Sequence, residues 1–278
     1  MVQVYEDRRL AGSYHAGNDM PDASLRAWAG LIADCAPVPA PRVLEVGAGT
    51  GMFAAALARW TDARLVVGVE PSPAMLAEAH RLHPAAHRPD RLHFAAGRAE
   101  AVPLRPRSVD LALLSRVIHH LPDRRACARE LARVLRPGGV VVVRTTFRER
   151  LDAVVYTYWP RLLDIDRVRF PAEADVRADF AAHGFDVVRI SSHAEPVAAG
   201  LRAYHQRLVT RPQSKFTHLT EAEFATGLAR LAADAKAEAE AEAEAEAAAA
   251  AGAGVDAEPL VRPRPVSERY DVAVFRLR

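Results

Sequence analysis

The residues of this chain best suited by type and spacing to do chemistry lie in Val43-Leu44-Glu45-Val46-Gly47-Ala48-Gly49-Thr50-Gly51. The stretch reads as a buried strand, a glycine turn and a helix start. Gly47 permits the tight turn, Gly49 lets a ligand approach the backbone with no Cβ in the way, and Gly51 lets the next helix pack closely on the strand. The helix start offers free backbone N–H groups to a polar or anionic ligand group. Glu70 ends the next apolar run, 19 residues after Gly51, where a carboxylate can accept hydrogen bonds from both hydroxyls of a ribose. These features suit an adenosine-bearing ligand. A dinucleotide fingerprint would put its third glycine one residue later, at Met52, so nicotinamide-dependent oxidoreduction is the weaker fit.

Two groups of histidines call for weighing. His119 and His120 follow the fourth expected strand, at the carboxyl edge where open α/β sheets bind ligands. One of them can line a pocket there as a general base, since imidazole titrates near neutral pH; the competing reading is packing at a helix start. His80, His83 and His87 mimic the spacing of a metal cluster, but Pro84 breaks their helix and Arg81 and Arg88 flank them. A solvated helix end is the better reading, and no metal is expected.

The elements that must position these residues follow from apolar periodicity. Residues 42–46, 65–69, 91–96, 109–114 and 140–145 read as strands, and residues 21–35, 51–60, 72–83 and 122–135 as helices, with a turn at Pro137-Gly138-Gly139. Such alternation implies a parallel sheet with helices on both faces. Beyond residue 147 the pattern gives helices at 149–165, 172–183, 197–209 and 220–236, and strands at 185–190 and 270–277. Residues 237–251 alternate Ala and Glu and then run to Ala. Their composition favours helix, while like charges at i, i+4 oppose it, so the tract reads as a solvated helical spacer or a disordered linker.

Composition narrows the class. The 278 residues carry 37 basic and 35 acidic side chains, a net charge of +2, which gives no reason to expect a nucleic-acid groove or a membrane-surface patch. Lys215 and Lys236 are the only lysines. Cys35 and Cys127 stand in no metal-like or redox spacing, and a reduced, cytoplasmic protein is expected. Residues 1–12 are charged and lack an apolar stretch, so no secretory signal is expected there. Gly139 to Val143 is apolar but closed by Arg144, far too short to span a bilayer.

Four segments in order resemble the class I S-adenosylmethionine-dependent methyltransferases, of the type that includes the ubiquinone- and menaquinone-biosynthesis enzymes. They are the 43–51 stretch, Val69-Glu70-Pro71-Ser72-Pro73-Ala74-Met75, the run from Ser108-Val109-Asp110-Leu111 through Ile118-His119-His120-Leu121-Pro122-Asp123, and Leu131-Ala132-Arg133-Val134-Leu135-Arg136-Pro137-Gly138-Gly139. The resemblance covers roughly residues 40–147. It implies an α/β fold with a Rossmann-like seven-stranded sheet, the last strand antiparallel, and a helical insert or cap. It implies S-adenosylmethionine as cofactor, with Tyr14, Glu45, Gly47, Ala48, Gly49, Gly51, Glu70, Pro71, Met75, Arg98, Ala99, Glu100, Ser115 and Arg116 around it. His119 and His120 become the catalytic candidates, and Tyr156, Tyr158 and Trp159 are either lid aromatics of an acceptor pocket or core, the lid being the first choice. One position departs from the family pattern: Arg98 stands where an Asp usually meets the adenine amino group. An arginine cannot accept that hydrogen bond, so backbone at Arg98 and Ala99, or the Glu100 carboxylate, must do so, the backbone being the first choice.

The expected organisation is an N-terminal helical arm at 1–40, the cofactor core at 41–147, its continuation and substrate cap at 148–215, a helical insert at 216–265, and the final strand at 266–278. Arg202, Arg207, Arg211 and Lys215 read as a solvated basic helix face. The expected function is methyl transfer to a small-molecule acceptor at O, N or C, in metabolism or natural-product biosynthesis, with no nucleic-acid or membrane partner. The alternatives are a donor-binding protein without activity, and a protein or RNA methyltransferase.

Overall fold

The computed structural model describes residues 20–87, 89–211, 214–251 and 264–278. In chain order the elements are α1 (Asp22–Ala33), β1 (Arg42–Val46), α2 (Met52–Trp60), β2 (Leu65–Glu70), α3 (Pro73–Leu82), β3 (Leu92–Ala96), β4 (Val109–Ser115), α4 (Arg124–Val134) and β5 (Leu135–Thr145). They continue with α5 (Val155–Tyr158), α6 (Pro160–Arg169), α7 (Glu173–Ala181), β6 (Phe185–Ala198), α8 (Leu201–Leu208), α9 (Glu221–Ala251) and β7 (Val266–Leu277).

The seven strands lie in the order β3-β2-β1-β4-β5-β7-β6. β1 pairs parallel with β2 and β4, β2 with β3, and β4 with β5, whereas β7 runs antiparallel to β5. Burial on both faces explains the unbroken apolar strands. Successive residues point to opposite faces. Val141 and Val143 of β5 pack with Leu131 of α4 and Phe180 of α7. Val140 and Val142 pack with Trp28 and Ile32 of α1 and Phe53 of α2. The chain moves outward from β1 through β2 to β3, then returns to β4 on the other side of β1. That reversal opens a crevice at the carboxyl ends of β1 and β4.

Several expected boundaries differ: β6 runs on to Ala198 past the expected 190, the helix expected from 197 begins at Leu201, and β7 begins at Val266 rather than 270. The turn at Pro137-Gly138-Gly139 lies inside β5, which begins at Leu135 beside Val109 and shifts register before Val140 pairs with Leu111. Gly138 supplies φ +77 within this irregularity. The single helix expected at 149–165 is divided into α5 and α6, with Trp159 between them at φ −130, ψ 75. Pro160 causes the break, because proline excludes the α conformation from the residue before it.

The described part of Met1–Leu151, with Asp166–His193 and Tyr270–Arg278, forms one compact unit; Asp152–Ile165 and Ala194–Arg269 form a second. The second unit has its own apolar core, including Tyr158, Trp159, Tyr204, Phe216, Phe224 and Leu231. It draws on both segments expected as cap and insert. The Ala/Glu tract continues α9 as helix to Ala251, and none of residues 237–248 is buried.

Candidate functional site

Four strand ends of the first unit enclose a cavity of ≈ 460 Å³, a volume suited to a small ligand. The turn after β1 contributes Val46, Gly47 and Gly49. The end of β2 and the first turn of α3 contribute Glu70, Pro71, Ser72 and Met75. Arg98, Ala99 and Glu100 come from the turn after β3. Ser115, Arg116 and Val117 end β4, with His120, Leu121 and Pro122 beyond.

The glycine turn is fixed by its own backbone. The N–H groups of Gly47 and Ala48 both donate to Val69 O, at 2.8 and 3.1 Å. Gly47 has φ +70, and a Cβ there would stand 2.4 Å from Val117 Cγ2, so a side chain is excluded twice over. Gly49 has φ +56, but a Cβ there would meet nothing within 4 Å. Its bare backbone faces open space, as a close-approach site requires.

Glu70 holds this turn as well as lining the cavity. Oε2 accepts from Gly49 N at 2.8 Å and Oε1 from Ser72 N at 2.9 Å. Each oxygen keeps further acceptor capacity, so the carboxylate is oriented before any ribose arrives. Burial raises its pKa, while the Ser72 and Gly49 N–H groups lower it. Glu45, Ala48 and Gly51 stand behind the wall rather than in it: Glu45 is buried in β1, and burial pushes its carboxyl up to about 8, opposed by the Ala54 N–H and aided by Glu70. The N–H belongs to the first turn of α2, so Glu45 caps that helix from inside the sheet.

Across the cavity, Glu100 Oε2 lies 3.4 Å from Arg98 Nε. Its Oε1 is buried and has no hydrogen-bond partner among the described residues. That orphaned acceptor, the oriented Glu70 and the open backbone at Gly49 match the adenine amino group, ribose and methionine portion of S-adenosylmethionine, so the residues fit this cofactor.

At the end of β4 the backbone is strained. Arg116 has φ +55, a left-handed conformation costing a non-glycine residue roughly 1–2 kcal/mol. Its N–H donates to Arg144 O at 2.7 Å. Arg144 is buried with its guanidinium carbon 3.7 Å from the Tyr270 ring centroid and 4.4 Å from that of Trp28. Its Nη1 lies 3.5 Å from Ser115 Oγ. This arginine was visible in sequence only as the residue closing an apolar run.

The two histidine rings lie 4.0 Å apart, tilted by 44°, but differ in their surroundings. His119 stacks on Phe170, centroids 4.2 Å apart, and does not line the cavity. His120 lines it, and Arg169 Nη2 donates to its Nδ1 at 3.5 Å. An arginine only donates, so this contact leaves the ring proton on Nε2. Burial, then Arg169 and Arg116, hold the His120 pKa down at about 4. Arg169 and Phe170 gave no sequence signal, since both lie beyond the motif region. Ser72, Val117, Leu121 and Pro122 lay inside or beside quoted motifs.

The other expected site residues fall elsewhere. Tyr14 lies outside the described residues. Tyr158 and Trp159 are core residues of the second unit rather than lid aromatics: Trp159 stacks on Phe224 and its Nε1 donates to Phe224 O at 3.2 Å. Burial, with the Asp234 hydrogen bond, pushes the Tyr158 phenol up to about 12. Tyr156 is partly buried in the same unit, with Lys215 Nζ 5.8 Å from its ring centroid. Arg207 donates to Val197 O and Arg211 pairs with Glu221, so these two are engaged locally. His80 and His83 meet the Phe94 ring.

Residues 44–143 match the methyltransferase domain family. Among curated relatives the chain is 32% identical over 154 residues to demethylmenaquinone methyltransferase of Roseiflexus castenholzii, covering 54% of this chain and 63% of that protein. It is 34% identical over 140 residues to malonyl-[acyl-carrier protein] O-methyltransferase of Serratia marcescens, covering 49% of each. Both alignments span less than two thirds of the relative's length. Among solved structures, a protein described as a methyltransferase from an antibiotic biosynthesis pathway of Anabaena variabilis superimposes with a TM-score of 0.62 at 21% identity, covering 88% of this chain and 96% of that one.

Proposed function

We propose that this protein is an enzyme that binds S-adenosylmethionine in the β1–β2–β4 cavity and transfers its methyl group to a small-molecule acceptor at O, N or C. The observation carrying the reading is Glu70: a buried carboxylate pre-oriented by Gly49 N and Ser72 N on the cavity wall. Its remaining lone pairs accept the ribose hydroxyls, Glu100 Oε1 accepts the adenine amino group, and the Gly47–Gly49 backbone admits the methionine portion. The bound cofactor supplies an activated methyl group. The protein's task is therefore alignment of nucleophile, carbon and sulfur, with water kept out by Val117, Leu121 and Met75.

Small-molecule acceptors are favoured by the balanced charge and by the relative named for demethylmenaquinone. No described helix is long and apolar enough to cross a membrane. The test is incubation with methyl-labelled S-adenosylmethionine and a metabolite extract. Label in the low-mass fraction is expected. Label confined to protein or RNA, or none transferred, would contradict the reading.

A further inference from the structure

The charged groups of the cavity are divided between its two ends. Glu70 and Glu100 stand at the β2 and β3 ends, where Arg98 faces Glu100 at 3.4 Å. Arg116 and His120 stand at the β4 end, and Arg169 Nη2 reaches His120 Nδ1 at 3.5 Å. The Arg116 backbone is pinned by its 2.7 Å hydrogen bond to Arg144 O. One end therefore offers acceptors to the hydroxyls and amine of an adenosine. The other offers the Arg116 side chain and, through the tautomer that Arg169 selects, the imidazole N–H of His120.

We propose that the acceptor enters as a carboxylate, is held at the β4 end by Arg116 and His120, with Arg169 holding the His120 ring, and leaves as its methyl ester. This rests on the reading above that the cavity binds the methyl donor. A carboxylate entering an apolar cavity loses its hydration, a cost offset only by paired charge and hydrogen bonds. Guanidinium groups match carboxylate geometry in pairs of donors. The chemistry agrees. An alcohol, phenol or ammonium nucleophile must lose a proton, and His120 is a poor acceptor when burial, then Arg169 and Arg116, hold its pKa down at about 4. A carboxylate has no proton to lose. Its oxygen bonds to the methyl carbon, the carbon–sulfur bond breaks with its electron pair on sulfur, and the negative and positive charges cancel. The products are a neutral ester and a neutral thioether.

The test is calorimetric titration of the protein saturated with S-adenosylhomocysteine, using octanoate and its neutral analogue octanamide. Saturation fills the place of the donor's own carboxylate. Octanoate is expected to bind about tenfold or more tighter than octanamide. That preference should be lost in Arg116→Asn, whose side chain tolerates left-handed backbone, and reduced in Arg169→Gln. Equal affinities, no octanoate heat, or an unchanged preference in both variants would overturn the proposal. So would displacement of S-adenosylhomocysteine by octanoate. If Arg116→Asn weakens S-adenosylhomocysteine but not 5′-methylthioadenosine, the arginine serves the donor's carboxylate instead, and the proposal fails. Failure of S-adenosylhomocysteine to bind the wild type would overturn the donor reading itself.

Discussion

Two buried ionisable residues in the first unit carry opposite pH dependences. Glu45 titrates near 8 when folded, against an ordinary value of 4.5. Its contribution to stability is full below the unfolded value and is lost as pH rises through 8. Glu45→Gln keeps an acceptor for Ala54 N and removes the titration. Between pH 6 and 9 the wild-type Tm should fall more than that of the variant; parallel melting profiles would contradict the assignment. His120 has its folded pKa lowered from 6.5 to about 4, so its contribution is present above 6.5 and lost as pH falls through 4. Once an acceptor is known, the rate profile should show no His120 limb at 6–7. A limb there, abolished in His120→Asn, would restore the histidine as general base.

The sequence-level expectation joined His119 and His120 as one motif, and only packing separates them. Phe170 takes one ring and Arg169 meets the other; both come from beyond the recognisable region. Glu70 and the glycine turn were legible because strand, turn and helix follow one another without interruption. The Arg98–Glu100 pair was legible as an anomaly, whereas the burial of Glu100 Oε1 was not.

At the scale of elements, the glycine turn separates folding from binding. Gly47→Ala places a Cβ against Val117, whereas Gly49→Ala adds only left-handed strain of roughly 1–2 kcal/mol and a methyl group in the cavity. Gly47→Ala should cost the greater stability. Gly49→Ala should remain folded and lose affinity for S-adenosylhomocysteine. Thermal melts and calorimetry on the pair check this, and a Gly49→Ala protein binding at wild-type strength would contradict it.

The helix α9 was only half legible. Its apolar part gave 220–236, but alternating Ala and Glu fits either of two periods. Helix propensity decides in favour of continuation. Within the tract Glu238 has a role: its Oε2 accepts from Leu201 N at 2.8 Å, the first residue of α8, as a cap supplied from another helix. Deleting 239–251 should leave Tm nearly unchanged, while Glu238→Ala should lower stability by about 0.5–1 kcal/mol. A cooperative loss of fold on deletion would show that the exposed tract packs.

At the scale of the whole molecule, the first unit was readable to within a residue or two at most boundaries. Its parallel strands are buried on both faces and announce themselves as apolar runs. The second unit was not, because its core is assembled from segments separated by β6 and because its aromatics resemble lid residues in isolation. Trp159 illustrates this: one Pro ends its helix, and Phe216 and Phe224, more than fifty residues on, complete its surroundings.

The central claim is that the β1–β2–β4 cavity of the first unit holds the methyl donor on Glu70. Calorimetric titration with S-adenosylhomocysteine, in parallel with NAD, tests it most directly. The account expects the wild type to bind S-adenosylhomocysteine and not NAD, and Glu70→Ala, verified as folded by its melt, to bind it about 1–3 kcal/mol more weakly. Preference for NAD, or an affinity unaffected by Glu70→Ala, would contradict it.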